Sequence, residues 1–182
     1  MGRDTLMLEV GGVPLLRRVG DALSARCAEI IVVGGDAARL EGVRWITEER
    51  RGLGPLAGME AGLAAARNRP VFVAAGDMPF LSVTLIGYLL ERLEGLRFGA
   101  VVPHHRGRAH PLCAAYDREI LPSVESALDR GVRSMRGLLK SMDSVEYVES
   151  ELRRFGDPDL YLMNVNSPED LERARASRGG AP

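Results

Sequence analysis

Apolar positions change their spacing several times along the chain, and each change marks an element. Leu6, Leu8 and Val10 alternate with Met7 and Glu9, and Gly11 and Gly12 then turn the chain. Pro14 suits a first helical turn. Leu15, Leu16, Val19, Leu23 and Cys27 follow near helical spacing, with Arg17, Arg18, Asp21 and Arg26 between them. Residues 30–33 form a short apolar, β-branched run and residues 43–46 another, so strand, helix and strand succeed one another in the α/β manner. Met59, Leu63 and Ala66 share one face of a helix set in small residues. Residues 71–75 are apolar at every position, which predicts a strand covered on both faces, as in a parallel sheet.

Ser82 can cap a helix over 83–93 that turns Leu85, Leu89, Leu90 and Leu93 inward. Residues 98–103 and 110–116 read as two strands of a hairpin around the basic turn Arg106-Gly107-Arg108. Helices are predicted over 117–129 and 134–142, the second with a basic face of Arg133, Arg136 and Lys140, and a strand over 145–148. After a polar stretch, residues 161–166 are extended. Ser167, Pro168 and Asp170 then supply the N-cap, first turn and capping box of a last helix. Residues 1–176 are expected to form a single domain, with 177–182 a frayed tail.

Composition narrows the function classes. With 182 residues, one domain with a real core is favoured. A formal net charge of −1 argues against a general nucleic-acid or membrane-surface binder, and 5% aromatics against a base-stacking platform. Cys27 and Cys113 lie far apart without metal-ligand spacing, so two free thiols in a reducing cytoplasm are expected. The sequence contains no C-x-x-C, P-loop, G-x-S-x-G or G-x-G-x-x-G, no long apolar segment for a membrane span and no signal peptide pattern.

Two stretches carry candidate chemistry. The run 71–75 ends in Gly76-Asp77-Met78-Pro79, which sets the Asp77 carboxylate just past the carboxyl end of a strand, where open α/β sheets bind ligands. A carboxylate among small residues there suits a Mg²⁺ that also touches substrate phosphates; the same residue could equally cap the next helix. The run Gly54-Pro55-Leu56-Ala57-Gly58 opens a helix. Glycines admit a bulky ligand close to the backbone, and a helix N-terminus offers N–H groups to anions; tight packing on the sheet is the alternative. Arg108 and His110 sit where the basic turn re-enters the sheet. Asn164 and Asn166 share one side of the extended stretch before the last helix.

Four pieces in order, G-P-L-A-G at 54–58, G-D-M-P-F at 76–80, G-R-A-H-P-L at 107–112 and N-V-N-S-P-E-D-L at 164–171, resemble the molybdenum cofactor guanylyltransferase family. The resemblance runs from residue 1 to 174. It implies a three-layer α/β/α sandwich of the nucleotide-diphospho-sugar-transferase type, its sheet mostly parallel with an antiparallel portion. It also implies transfer of GMP from GTP to molybdopterin, with release of pyrophosphate and Mg²⁺ as cofactor. Asp77 then takes the position of the catalytic, metal-binding carboxylate. Gly2, Glu48, Gly54, Pro55, Leu56, Ala57 and Gly58 fall at nucleotide-binding positions, and Arg108, His110, Asn164 and Asn166 at pterin-binding ones. Implied partners are GTP and molybdopterin, with transient contacts to molybdoenzymes or other cofactor-assembly proteins.

Two departures from the family pattern stand out. The start M-G-R-D-T-L matches only the tail of the signature L-A-G-G-x-S-x-R-M-G-x-D-K, so the first strand and the loop around guanine and triphosphate lie outside this sequence; a start codon misplaced to an internal Met accounts for that. Thr5 stands where the signature has Lys, and a hydroxyl supplies no positive charge to a phosphate. The alternatives are therefore a CTP or sugar-phosphate nucleotidyltransferase, or a catalytically impaired relative that binds molybdopterin.

Overall fold

The computed structural model describes residues 3–34, 40–50, 52–95 and 99–177. A 3₁₀ turn over Arg3–Met7 leads into a tight hairpin of β1 (Glu9–Val10) and β2 (Val13–Pro14), turned by Gly11 and Gly12, both at positive φ. Such a turn needs left-handed backbone at both central positions, which glycine adopts without strain. Helix α1 (Leu15–Ser24) follows with Leu15, Leu16 and Val19 buried, the stripe that the spacing predicts. β3 (Ile31–Val33) and β4 (Arg44–Ile46) pair in parallel. α2 (Pro55–Ala65), β5 (Val71–Ala74) and α3 (Val83–Gly95) come next.

The second half supplies most of the sheet. β6 (Ala100–His105), β7 (Arg108–Ala109), β8 (Cys113–Tyr116) and β9 (Val145–Val148) surround α4 (Leu121–Asp129) and α5 (Met135–Lys140) in the chain. α6 (Pro158–Tyr161) and α7 (Pro168–Ala176) complete it. Arg106 (φ 50°) and Gly107 (φ 71°) form the two-residue turn between β6 and β7. The predicted hairpin is present, although its first strand runs over Ala100–His105, and the predicted start at Phe98 lies outside the described residues. The helix predicted over 117–129 splits into a 3₁₀ turn (Arg118–Ile120), capped by Asp117, and α4.

The layering is α/β/α. Along β6, Ala100 and Val102 face α2, α4 and α5, while Val101 faces α3; along β8, Ala114 and Tyr116 face the first set, Cys113 and Ala115 the second. That alternation is the period of two that a strand imposes, here with both faces apolar because both are covered. A third cluster of Val10, Leu15, Val165, Leu171 and Ala174 seats α7 against β1.

The parallel share of the sheet is smaller than the sequence suggests. β8 runs antiparallel to both β5 and β6, and among the described residues parallel pairing is confined to β6–β9 and β3–β4. The expectation of a parallel strand buried on both faces at 71–75 is corrected in the same way. β5 pairs antiparallel with β8, and each of its four residues is half-buried because its other edge has no strand beside it among the described residues. β3 and β4 thus stand apart from the five-stranded sheet. None of the helices described is long and apolar enough to cross a membrane.

Candidate active site

Asp77 follows β5 by three residues, and the chain before α7 crosses directly over it. The Val165 N–H donates to the Asp77 carbonyl at 2.9 Å, and Asn164 Nδ2 donates to Asp77 Oδ1 at 2.7 Å. Three links hold the crossing segment. Ser167 Oγ accepts from the Asp170 N–H at 3.1 Å, and Asp170 Oδ2 accepts from the N–H groups of Asn166 (3.0 Å) and Ser167 (2.9 Å). The predicted capping box therefore does more than start a helix, because it fixes the residue that holds Asp77. Of the two asparagines expected to act as a pair, Asn164 bonds to Asp77, whereas Asn166 is exposed and gives its N–H to Asp170.

Burial pushes the Asp77 carboxyl above its usual range; the Asn164 hydrogen bond opposes that shift and the nearby Asp170 charge adds to it. A half-buried carboxylate of this kind is stabilised by an incoming cation. Among the described residues no three His, Cys, Asp or Glu side chains converge on one point. A single carboxylate fits a Mg²⁺ whose remaining ligands are phosphate oxygens and water. Next to Asp77, a Cβ on Gly76 would come within 3.0 Å of Leu6, so the 3₁₀ turn packs its leucine onto bare backbone here.

The second arm of the site is the start of α2. Gly54 is its N-cap at φ 81°, where a Cβ would also sit 3.1 Å from the Arg133 carbonyl, so glycine is required twice over. Pro55 occupies the first turn, and no side chain caps this end. The N–H of Ala57 returns to the Gly54 carbonyl at 3.1 Å. The helix therefore presents uncapped polar backbone at its positive end. Leu56 and Ala57 are buried in the core, so their side chains serve packing and only backbone is offered to a ligand. Pro55, Gly58 and Gly76 line one cavity, which joins this arm to the β5 end. Glu48 is half-buried in the loop between β4 and α2, and no hydrogen bond or ion pair joins it to Asp77 among the described residues. Thr5 lies in the 3₁₀ turn, its carbonyl accepting from the Leu8 N–H. Gly2 lies outside the described residues.

The third arm is basic. Arg108 is exposed on β7, and the His110 N–H donates to Pro103 at 2.9 Å. Burial, then the charges of His105, Arg108, Arg136 and His104, push His110 down to about 4. His110 is therefore neutral at pH 7 and offers hydrogen bonds; positive charge has to come from Arg108 and Arg136. Arg136 reads in the sequence as part of a solvated helix face, and its charge is felt at His110. Its only signal was the clustering with Arg133, whose backbone touches Gly54.

The chain matches the MobA-like NTP transferase domain over residues 1–145. It is 35% identical over 179 residues to a Pelotomaculum thermopropionicum protein named "Probable molybdenum cofactor guanylyltransferase", covering 96% of this chain and 85% of the relative. It is 31% identical over 183 residues to the molybdenum cofactor guanylyltransferase of Syntrophotalea carbinolica, covering 99% and 87%. Among solved structures, the molybdopterin-guanine dinucleotide biosynthesis protein A of Archaeoglobus fulgidus aligns with a TM-score of 0.78 at 26% identity, covering 94% of this chain and 89% of that one. A cytidylyltransferase of Thermus thermophilus aligns at 0.74 with 23% identity over 96% and 93%, a likeness of fold. On sequence and fold together, the chain belongs to the MobA-like NTP transferase family.

Proposed function

We propose that this chain is a molybdenum cofactor guanylyltransferase that transfers GMP from GTP to molybdopterin. The observation that carries the reading is the Asp77 carboxylate just past the end of β5, held by Asn164, in a chain similar over nearly its whole length to proteins of that name.

The reaction needs positioning and charge neutralisation, because a terminal phosphate oxygen of the acceptor attacks the α-phosphorus and the α–β bridging bond breaks to release pyrophosphate. No protein nucleophile is required. The start of α2 offers the nucleotide's phosphates the Leu56 N–H, since Pro55 has none and that of Ala57 returns to Gly54, and Gly54 and Gly58 keep side chains out of the way. Asp77 would hold Mg²⁺, which supplies positive charge against the triphosphate when bound. Asn164 keeps that carboxylate oriented. Arg108 and Arg136 meet the acceptor's phosphate, with His110 as a neutral hydrogen-bonding group that feels both charges. Free Cys27 and Cys113 suit a reducing cytoplasm, and hand-over of the product to molybdoenzymes or other assembly proteins would be transient.

The test is a substrate panel. The chain is incubated with Mg²⁺, molybdopterin and either GTP or CTP, and the products are resolved by mass. A guanine dinucleotide product with GTP, and about a hundredfold less product with CTP, is the expected result. Preference for CTP, or no dinucleotide with either nucleotide, overturns the assignment.

A further inference from the structure

β5 and β6 both run antiparallel to β8, and β9 runs parallel to β6. The carboxyl ends of β5, β6 and β9 therefore lie along one edge of the sheet. Asp77 stands past that end of β5. Near the same ends of the other two strands stand His104 on β6, Tyr147 on β9 and Glu149 one residue past β9. Tyr147 is in register with Val102, which faces α2, α4 and α5. Val145 packs on that same cluster and Val148 on the opposite one, so the period of two sends Tyr147 to the α5 side of the sheet. His104 follows Val102 by two residues and goes to the same side. Its ring centre is 5.9 Å from that of Tyr147, and the two planes cross at 73°. The charges of His104, Arg108 and Arg136 are all felt at His110, so the basic arm of the site adjoins this pair.

Of the four tyrosines, Tyr88, Tyr116 and Tyr161 are buried or half-buried, whereas Tyr147 is 50% exposed. A ring left half in water on a packed strand offers a flat surface to a second ring. Two residues on, Glu149 accepts from His104 Nδ1 through Oε2 at 3.1 Å. Its Oε1 has no hydrogen-bond partner among the described residues, and a carboxylate oxygen accepts more than one bond, so capacity for a ligand remains. Two adjacent N–H donors on a planar ring match a carboxylate beside an aromatic face. A pterin has them, at N3 and at its 2-amino group. Resting on the guanylyltransferase reading, we propose that Tyr147 and Glu149 recognise the acceptor's pterin ring, Tyr147 by stacking on it and Glu149 by accepting from N3–H and the 2-amino group. His104, bonded to one and packed against the other, positions both. Guanine has the same donor pair, so the nucleotide's base is the competing occupant. Placement favours the acceptor. Three strand spacings, roughly 14 Å, separate β9 from β5. The nucleotide's helix α2 instead packs toward Val33 of β3, while Tyr147 and Glu149 adjoin the arginines that meet the acceptor's phosphate.

The test needs no turnover. Anaerobic titration calorimetry measures molybdopterin binding without nucleotide, and GTP binding with Mg²⁺, for the parent chain, Tyr147→Ala, Tyr147→Phe and Glu149→Gln. Tyr147→Ala should weaken molybdopterin about tenfold through lost stacking, and Glu149→Gln similarly through a lost charged acceptor. Tyr147→Phe keeps the flat face and should stay within about twofold of the parent. GTP affinity should not move in any of them. Should one variant fail to fold, the other decides alone, since the two side chains act on the ring independently. Parental molybdopterin affinity in Tyr147→Ala or Glu149→Gln overturns the proposal, and so does failure of phenylalanine to restore binding. Loss of GTP affinity in place of molybdopterin affinity would assign the surface to guanine and overturn it equally. GMP transfer by the parent is assayed separately: transfer with unaffected variants sinks this inference alone, whereas weakened variants of a parent that transfers nothing sink the guanylyltransferase reading and leave the pterin surface standing.

Discussion

β3 and β6 begin with equally apolar triplets, Ile31-Val32-Val33 and Ala100-Val101-Val102, yet every residue of the second is buried and none of the first is. The difference lies in their neighbours. β6 has β8 on one side and β9 on the other, with α3 above and α2, α4 and α5 below. β3 has β4 on one side and a cavity on the other. Apolar character decides that a segment becomes a strand; the completeness of its surroundings decides how much free energy it contributes. Asp77 sits where these two regimes meet. Its strand β5 is anchored to the complete side through β8, and the Asn164 clamp comes from the segment before α7, so the carboxylate is held although the other edge of β5 has no strand beside it among the described residues.

The comparison makes its largest stability prediction in the core. Leu89→Ala on α3, fully buried, should cost about 3 kcal/mol in urea unfolding, whereas Val32→Ala on β3 should cost about 1 kcal/mol or less. Equal costs would erase the distinction between the two regions. Next comes His110, on the complete side. Its folded pKa of about 4 lies below the unfolded value of 6.5, so the unfolded chain binds a proton first as the pH falls. Stability should be intact above pH 6.5 and decline towards pH 4, by up to about 1 kcal/mol per pH unit. His110→Gln should flatten that part of the profile, and an unchanged slope would remove His110 from the account.

Smaller effects probe the clamp. Ser167→Ala should cost about 1 kcal/mol and loosen the segment that carries Asn164. Asn164→Ala removes a bond that lowers the Asp77 pKa, so the acid limb of the pH–rate profile should move to higher pH. A limb that stays in place would mean the bond does not tune the carboxylate.

Much of the fold could be read from local pattern. Helices α1 and α3 announced themselves by apolar spacing, the capping box at Ser167 by residue type, and the α/β class by the order of elements, with the three-layer sandwich implied by the family resemblance. The hairpin placed β8 antiparallel to β6, but its pairing with β5 could not be read so, because the neighbour across a sheet is set by long-range pairing that the apolar run Cys113–Tyr116 does not encode. The places of Asp77 past a strand end and of the glycine run at a helix start were legible, because such positions carry characteristic residues. The Asp77–Asn164 bond was not, since its partners are 87 positions apart. The nearness of Arg136 to His110 escaped for the same reason, with 26 positions between them in the chain.

The most direct test of the central claim compares GMP transfer by the parent chain and Asp77→Asn, with melting curves measured alongside. Burial raises the Asp77 pKa, so its ionised form weighs against the folded state as the pH rises through that pKa. Asparagine, neutral and nearly the same size, should therefore melt at or above the parent at pH 7. Transfer should fall by about a hundredfold or more. A variant that is folded and transfers GMP at the parental rate would contradict the account, because the carboxylate at the end of β5 would then have no part in the chemistry.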